Sequence, residues 1–317
     1  MGKNEELKLQ NIQEIRKCFY EKDILTKNAL HEETGLSLAG TTNVLAFLLK
    51  QNEIRQIEDA ESTGGRKSKQ YQLNPDFAHI GTVVLHRTES VFTFSASSFD
   101  LKGRKLQSLS LDSESGRKEE LTEIVRQLLS EDPKISQLCI SVPGECRDGY
   151  VEECDFPDFR GCDIASLIEG GSIHRIVAEN DVNAAAIGVS HRYGSYKNIV
   201  YVYQPEAEFA GCGVLIGGKL YNGFSHKAGE IRYMPFLTEE EQLDLLKDRP
   251  AWLLEQIIMT MCAVLDPEAV FWCSDAVHEE ISPDYRGKLP ELIHTKEIRS
   301  DIERGLFEIG KHNQAGG

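Results

Sequence analysis

In the run Val177-Ala-Glu-Asn-Asp-Val-Asn-Ala-Ala-Ala-Ile-Gly188 an acid, Asp181, stands where an apolar strand gives way to an Ala-rich helix. Ligands of α/β proteins meet the sheet at the carboxyl ends of its strands. A carboxylate placed there can take a proton from a substrate hydroxyl, or hold a sugar hydroxyl by a hydrogen bond. The same residue types also cap helices, so Asn180 or Asp181 can equally serve the unpaired N–H groups of the next first turn. This run alone leaves both readings open. A second candidate is Gly64-Gly-Arg-Lys67, a slim backbone followed by two cations. On a hairpin tip it would enter a minor groove, with Arg66 in its negative potential. Cys146, Cys154 and Cys162 recur every eight residues, yet no CxxC pair occurs among the eight cysteines. Free thiols in a reducing compartment are expected, and no metal.

The elements that must position these groups need more than one domain, and 317 residues suit two or three. The longest apolar runs are strand-sized, well short of the ~20 residues of a membrane span. Met1-Gly-Lys-Asn-Glu-Glu6 is not an apolar signal segment, so a cytoplasmic protein without membrane contact is expected. The net charge of −16 argues against nucleic acid for the chain as a whole. The first eighty residues, however, carry 11 Lys and Arg against 12 Asp and Glu. The acidity lies beyond them.

Residues 1–78 read as a winged helix-turn-helix. Apolar positions 9, 12, 15, 18 and 19 make one helix face over residues 7–20. A short helix fits Thr26–Thr34, with Thr26 as N-cap and Leu30 turned inward. Gly35-Leu-Ser37 turns the chain into a third helix from Leu38 to about Gln51, which buries Val44, Leu45 and Leu48. Its exposed face is predicted to present Ser37, Gly40, Thr41, Thr42 and Asn43 to bases in a major groove. Ile54–Ile57 and Lys69–Leu73 read as the strands of the wing, with Gly64, Gly65 and Arg66 at its tip and Lys67 and Lys69 facing phosphates.

Beyond Asn74-Pro75, strands at Phe77–Leu85, Val91–Phe99 and Ile135–Val142 alternate with a helix over Glu119–Ser130. A second α/β unit starts near Asn198, and helices dominate from Glu239. Here five pieces stand in order: Gly64-Gly-Arg66, Ser141-Val-Pro-Gly144, Glu179-Asn-Asp-Val-Asn-Ala-Ala185, Gly217-Gly-Lys-Leu-Tyr-Asn-Gly223 and Ala228-Gly-Glu-Ile231. In these the chain resembles the ROK family (repressors, open reading frames, kinases), of the repressor type with an N-terminal winged helix. The resemblance implies a two-lobed actin/hexokinase-like (ribonuclease H-like) α/β domain with a sugar between the lobes, in homodimers or tetramers. It implies that Asp181 matches the kinases' catalytic base and that Asn180 and Glu230 match sugar ligands. Gly144 belongs to the same cleft.

Three departures bear on catalysis. The family's early Asp-x-Gly-Gly-Thr phosphate loop corresponds to Ile80-Gly-Thr-Val-Val-Leu-His-Arg-Thr-Glu89, without the Asp or the paired glycines. The second phosphate loop falls at Ala207-Glu-Phe-Ala-Gly-Cys-Gly213, where Ala207 and Phe209 replace glycines and Glu208 adds a negative charge. ATP binding is therefore expected to be lost. The family's His after Glu230 and its Cys-rich zinc motif are replaced by Arg232-Tyr233 and Thr238-Glu-Glu-Glu-Gln. Tyr233 is expected to take over the lost imidazole's contact with a sugar. His226 is a nearby candidate substitute for that imidazole, and an ordinary surface histidine is the reading preferred for it.

The sequence thus predicts a non-enzymatic regulator, a repressor, without cofactor. Its partners are a double-stranded DNA operator and a sugar or sugar derivative. The first lobe is expected over 79–183 and 298–317, the second over 184–297. A sugar kinase with an accessory domain, and a regulator that answers to a protein partner, are the alternatives.

Overall fold

The computed structural model describes residues 3–57, 68–88, 91–168 and 173–316. Its N-terminal unit holds α1 (Lys3–Glu21), β1 (Ile24–Thr26), α2 (Lys27–Thr34), α3 (Leu38–Lys50), β2 (Ile54–Ile57) and β3 (Gln70–Leu73). The strands form an antiparallel sheet in the order β1-β3-β2. Thr26 caps α2 by accepting from the Ala29 N–H, and Gly35 ends it at φ 71°, a left-handed conformation that glycine adopts at low cost. Ser37 caps α3 by accepting from the Gly40 N–H. Arg16 of α1 holds Glu53 beneath β2 through Nε at 2.6 Å and a second nitrogen at 3.0 Å.

One expectation fails in α3. Thr41 is fully buried, and its hydroxyl donates to the Ser37 carbonyl at 3.1 Å. At 3.6 residues per turn it falls on the same face as Val44, Leu45 and Leu48, so it packs and cannot read a base. Ser37, Thr42 and Asn43 are exposed, as is Lys69 at the start of the hairpin's return strand. Gly64, Gly65, Arg66 and Lys67 lie outside the described residues.

The remainder contains two sheets of the same design. The first comprises β4 (His79–Thr88), β5 (Val91–Asp100), β6 (Lys105–Ser113), β7 (Ile135–Val142) and β11 (Arg175–Asn180), in the order β11-β7-β4-β5-β6. A small antiparallel sheet of β8 (Gly144–Arg147), β9 (Tyr150–Cys154) and β10 (Cys162–Asp163) extends from it. The second comprises β12 (Ile199–Gln204), β13 (Gly211–Ile216), β14 (Lys219–Leu220), β15 (Ala269–Ser274) and β16 (Glu291–His294), in the order β14-β13-β12-β15-β16. In each, three strands form an antiparallel meander and two more add in parallel beside the first. Helix α4 (Lys118–Glu131) precedes the first parallel strand of one sheet; α6 (Glu239–Asp248) and α7 (Pro250–Leu265) precede that of the other. Strands β7, β12 and β15 are buried along their whole length, as parallel strands covered on both faces must be.

Each sheet ends in a helix, α5 (Asp181–Arg192) after β11 and α8 (Ile298–Gln314) after β16, and these two cross. Small residues permit the crossing. A Cβ on Gly305 would lie 1.8 Å from the Ala184 carbonyl oxygen, and one on Gly188 2.1 Å from that of Asp301. On its other side α5 meets β13, where a Cβ on Gly213 would lie 2.5 Å from the Val182 carbonyl oxygen. The Ala-rich sequence of α5 thus reflects close approach on two faces. Helix α8 also joins the N-terminal unit: Phe307 and Ala315 share a core with Ile15, Leu30, Leu48 and Leu73. Phe307 meets Phe99 of β5 within that core, ring centroids 5.5 Å apart and the planes tilted at 53°.

Candidate ligand cleft and nucleic-acid interface

A cleft of about 220 Å³ opens between the two sheets, at the carboxyl ends of β11 and β12. Gly144, Asn180, Asp181 and Glu230 all line it, so residues 86 positions apart in the chain converge as anticipated. Asn180 and Asp181 divide the two roles that the sequence left open. Asn180 is the N-cap of α5: its Oδ1 accepts from the Asn183 N–H and its Nδ2 donates to the Gly144 carbonyl, both at 2.9 Å. Gly144 sits at φ 139° with its α-carbon pressed against β9, where a Cβ would be 2.3 Å from the Glu153 carbonyl oxygen. Asp181 follows as the first helical residue, 8% exposed, and accepts from the Val182 N–H at 2.8 Å.

Burial pushes the Asp181 carboxyl up to about 7, and the nearby charges of Asp155 and Glu230 add to the shift. Burial likewise raises Asp155, to about 6, with Glu208 contributing. Glu230 is raised by burial and by Glu145, against the pull of Arg232 and Lys227. These are the marks of acids crowded away from water, and such groups cluster at functional sites.

Two bridges cross the cleft between the lobes. Glu145 of β8 accepts from Lys227 at 2.7 Å and from the Tyr233 hydroxyl at 3.0 Å, and lies 3.6 Å from Arg232. Burial alone would raise the Glu145 carboxyl, but Lys227, Tyr233 and Arg232 hold it below its ordinary range. Arg87 of β4 reaches Glu208, beyond β12, at 3.4 Å.

Three expectations are corrected here. Tyr233 does not line the cleft: it is 49% exposed and spends its hydroxyl on Glu145, while Arg232 takes the lining position. His226 lines the cleft, which favours its reading as a cleft residue over that of an ordinary surface histidine. Glu208 is not a bare negative charge, since Arg87 accompanies it. Asp155, Glu145, Arg87 and Asn222 were not singled out from the sequence. For Asp155 the signal was available: an acid directly after the strand Tyr150–Cys154, the pattern that marked Asp181. Ile80–Thr88, the counterpart of the early phosphate loop, lies in the continuous strand β4, with Gly81 packed against Leu138. Among the described residues no group of three His, Cys, Asp or Glu is arranged to hold a metal. All eight cysteines are free thiols. No helix among the described residues is long and apolar enough to cross a membrane.

The second candidate surface is a groove of about 400 Å³ between α2, α3 and β3. Thr42, Ala46 and Leu49 form its α3 wall, Lys27 and Asn28 its α2 wall, and Lys69 its edge on the hairpin. Cations thus flank a helix face of small and apolar side chains.

A paired pseudo-repeat of sheet and closing helix around a polar cleft defines an actin/hexokinase-like sugar-kinase fold, and the solved structures agree. A ROK-family transcriptional regulator homologous to Escherichia coli Mlc superposes with TM-score 0.65 at 13% identity, covering 98% of this chain and 100% of that one. A ROK hexokinase from Thermus thermophilus gives 0.59 at 16% identity, covering 75% of this chain and 100% of its own. A ROK-family glucokinase from Streptomyces griseus, solved with glucose and AMPPNP, gives 0.57 at 14%, with 74% and 100% covered. In sequence the chain is 26% identical over 222 residues to a xylose repressor of Bacillus spizizenii and 24% over 223 residues to that of Bacillus subtilis. Each match covers 66% of this chain and 56% of the relative, so the chain spans little more than half the length of these repressors. No family model matches it. The chain has the fold of the ROK family and resembles that family's repressors in sequence.

Proposed function

We propose that this chain is a ROK-type transcriptional repressor in which the N-terminal unit is a winged helix-turn-helix that binds an operator, and the cleft around Asp181 binds a sugar or sugar derivative without phosphorylating it. The observation that carries the reading is the continuity between the two sites. Helix α8 contributes Phe307 and Ala315 to the core of the N-terminal unit and presses Gly305 against α5, whose first residue is Asp181. A ligand with different affinities for two lobe arrangements would shift α5 against α8 and so bias the DNA-binding unit. The relatives named as repressors support DNA binding, and the glucose-bound neighbour supports a sugar in the cleft. Ser37, Thr42 and Asn43 would meet bases, and Gly64, Gly65, Arg66, Lys67 and Lys69 the wing's groove and phosphates. A dimer would place two such units on half-sites about one helical turn apart.

Selection of genomic fragments with the purified protein tests the reading. One enriched, palindromic site is expected, lost or relaxed in Asn43→Ala and Arg66→Ala. No specific enrichment with the unaltered protein removes the repressor proposal.

A kinase reading has one observation in its favour, since a carboxyl raised to about 7 is well matched to a general base. It lacks the glycines that would let backbone N–H groups reach a nucleotide's phosphates. Gly213 of that loop is occupied by packing on α5, and Phe209 lines the cleft. ATP-dependent phosphorylation of a hexose that vanishes in Asp181→Asn would establish it.

A further inference from the structure

The charges lining the cleft do not balance, and the imbalance is local. Each of its three arginines already faces a different glutamate: Arg87 with Glu208 at 3.4 Å, Arg160 with Glu153 at 3.4 Å, and Arg232 with Glu145 at 3.6 Å. Lys227 is held by Glu145 as well. His226 lies toward Glu179. Asp155, Asp181 and Glu230 remain, all lining the cleft, and among the described residues none has a cation within 4.0 Å. Asp181 is 8% exposed, and among the described residues its carboxylate is met only by backbone N–H groups, those of Val182 and of Asp181 itself. In the same wall the buried Oδ1 of Asn222 has no donor. The cleft therefore offers several acceptors and an excess of negative charge: Arg87 and Arg160 act on Asp155, and Arg232 and Lys227 on Glu230, only at longer range, while each of these cations is in closer contact with a glutamate.

Carboxylates buried near one another cannot all ionise without compensation. A neutral sugar supplies hydroxyl donors, but leaves that repulsion in place. A sugar carrying an ammonium group supplies donors and removes it. A phosphate or carboxylate on the ligand would worsen it. We propose that the cleft is specific for a cationic amino sugar, a hexosamine with a free amine, whose ammonium sits among Asp155, Asp181 and Glu230 while its hydroxyls meet Asn180 and Asn222. This deepens the sugar-binding reading above and rests on it.

Thermal shift and calorimetric titration of the full chain with glucosamine, galactosamine and mannosamine, each beside its N-acetyl form and the parent hexose, separate the cases. N-acetylation removes the charge and keeps the ring. At least one free hexosamine is expected to bind tenfold or more tightly than both of its neutral counterparts. Asp155→Asn is expected to shrink that ratio, because it removes one of the facing charges while its amide keeps an oxygen acceptor. Neutral forms binding as tightly as the amines would overturn the charge assignment and leave the sugar site standing. An unchanged ratio in Asp155→Asn would also overturn it. Binding of none of the nine sugars would remove the sugar site itself, and the assignment with it.

Discussion

Asp181→Asn should make the ligand-free protein more stable at pH 8 and almost no different at pH 4. Burial pushes the carboxyl up to about 7 in the folded chain, from an ordinary aspartate value of 3.8. Between those values the folded state holds a proton that the unfolded state has released. Stability therefore falls as pH rises through this window: its full value is present below the unfolded pKa, and the loss is complete above about 7. At about 1.4 kcal/mol per unit the charged form costs up to roughly 4 kcal/mol at pH 8. Asparagine carries no charge at any pH and can still accept from the Val182 N–H, so the substitution removes the cost and little else. Melting curves from pH 4 to 8.5 should show the two proteins diverging as pH rises, with the variant several degrees higher at the alkaline end. Parallel curves would mean that Asp181 is compensated in the ligand-free protein, which would also weaken the case for a cationic ligand.

Gly305→Ala should have the opposite consequence at every pH. The added methyl would stand 1.8 Å from the Ala184 carbonyl oxygen and 2.6 Å from its carbon, against main chain that no side-chain rotation can clear. Overpacking of a core by a methyl group ordinarily costs about 1–3 kcal/mol. Here two helices must separate along their crossing, so the cost should lie at or above the top of that range. Because α8 also serves the core of the N-terminal unit, the loss should reach that unit, and with it the proposed DNA binding, as well as the cleft. Gly194→Ala is the control: a Cβ there meets nothing within 4 Å, and the change should stay within about 0.5 kcal/mol. Urea denaturation of the two variants beside the parent protein decides it. Equal stability of Gly305→Ala and the parent would mean that α5 and α8 lie farther apart than described.

The N-terminal unit was legible because its signals are local. Thr26, Ser37 and Gly35 punctuate α2 and α3, and each acts on backbone groups within four residues of itself. The same helical period that placed Leu48 inside also places Thr41 there; its hydroxyl made it look available for bases, but burial followed the period. In the cleft, Asn180 and Asp181 were readable as a pair at a strand–helix junction, though which would cap and which would face the ligand was not. Asn180 caps because its amide reaches the Asn183 N–H and the Gly144 carbonyl together.

The sequence by itself determined the helices and strands of the N-terminal unit, the strand–helix junction at Asp181 and the absence of glycine at Ala207 and Phe209, since these depend on neighbours along the chain. Only the tertiary structure decided which charges would meet. Glu145 finds Lys227 and Tyr233 across 82 and 88 residues, and Arg87 finds Glu208 across 121. Coulomb energy depends on distance in space and on exclusion of water, neither of which spacing in the chain records. That is why Tyr233 turns to Glu145 instead of the cleft, and why Asp155, Asp181 and Glu230 stand together with no cation within 4.0 Å among the described residues.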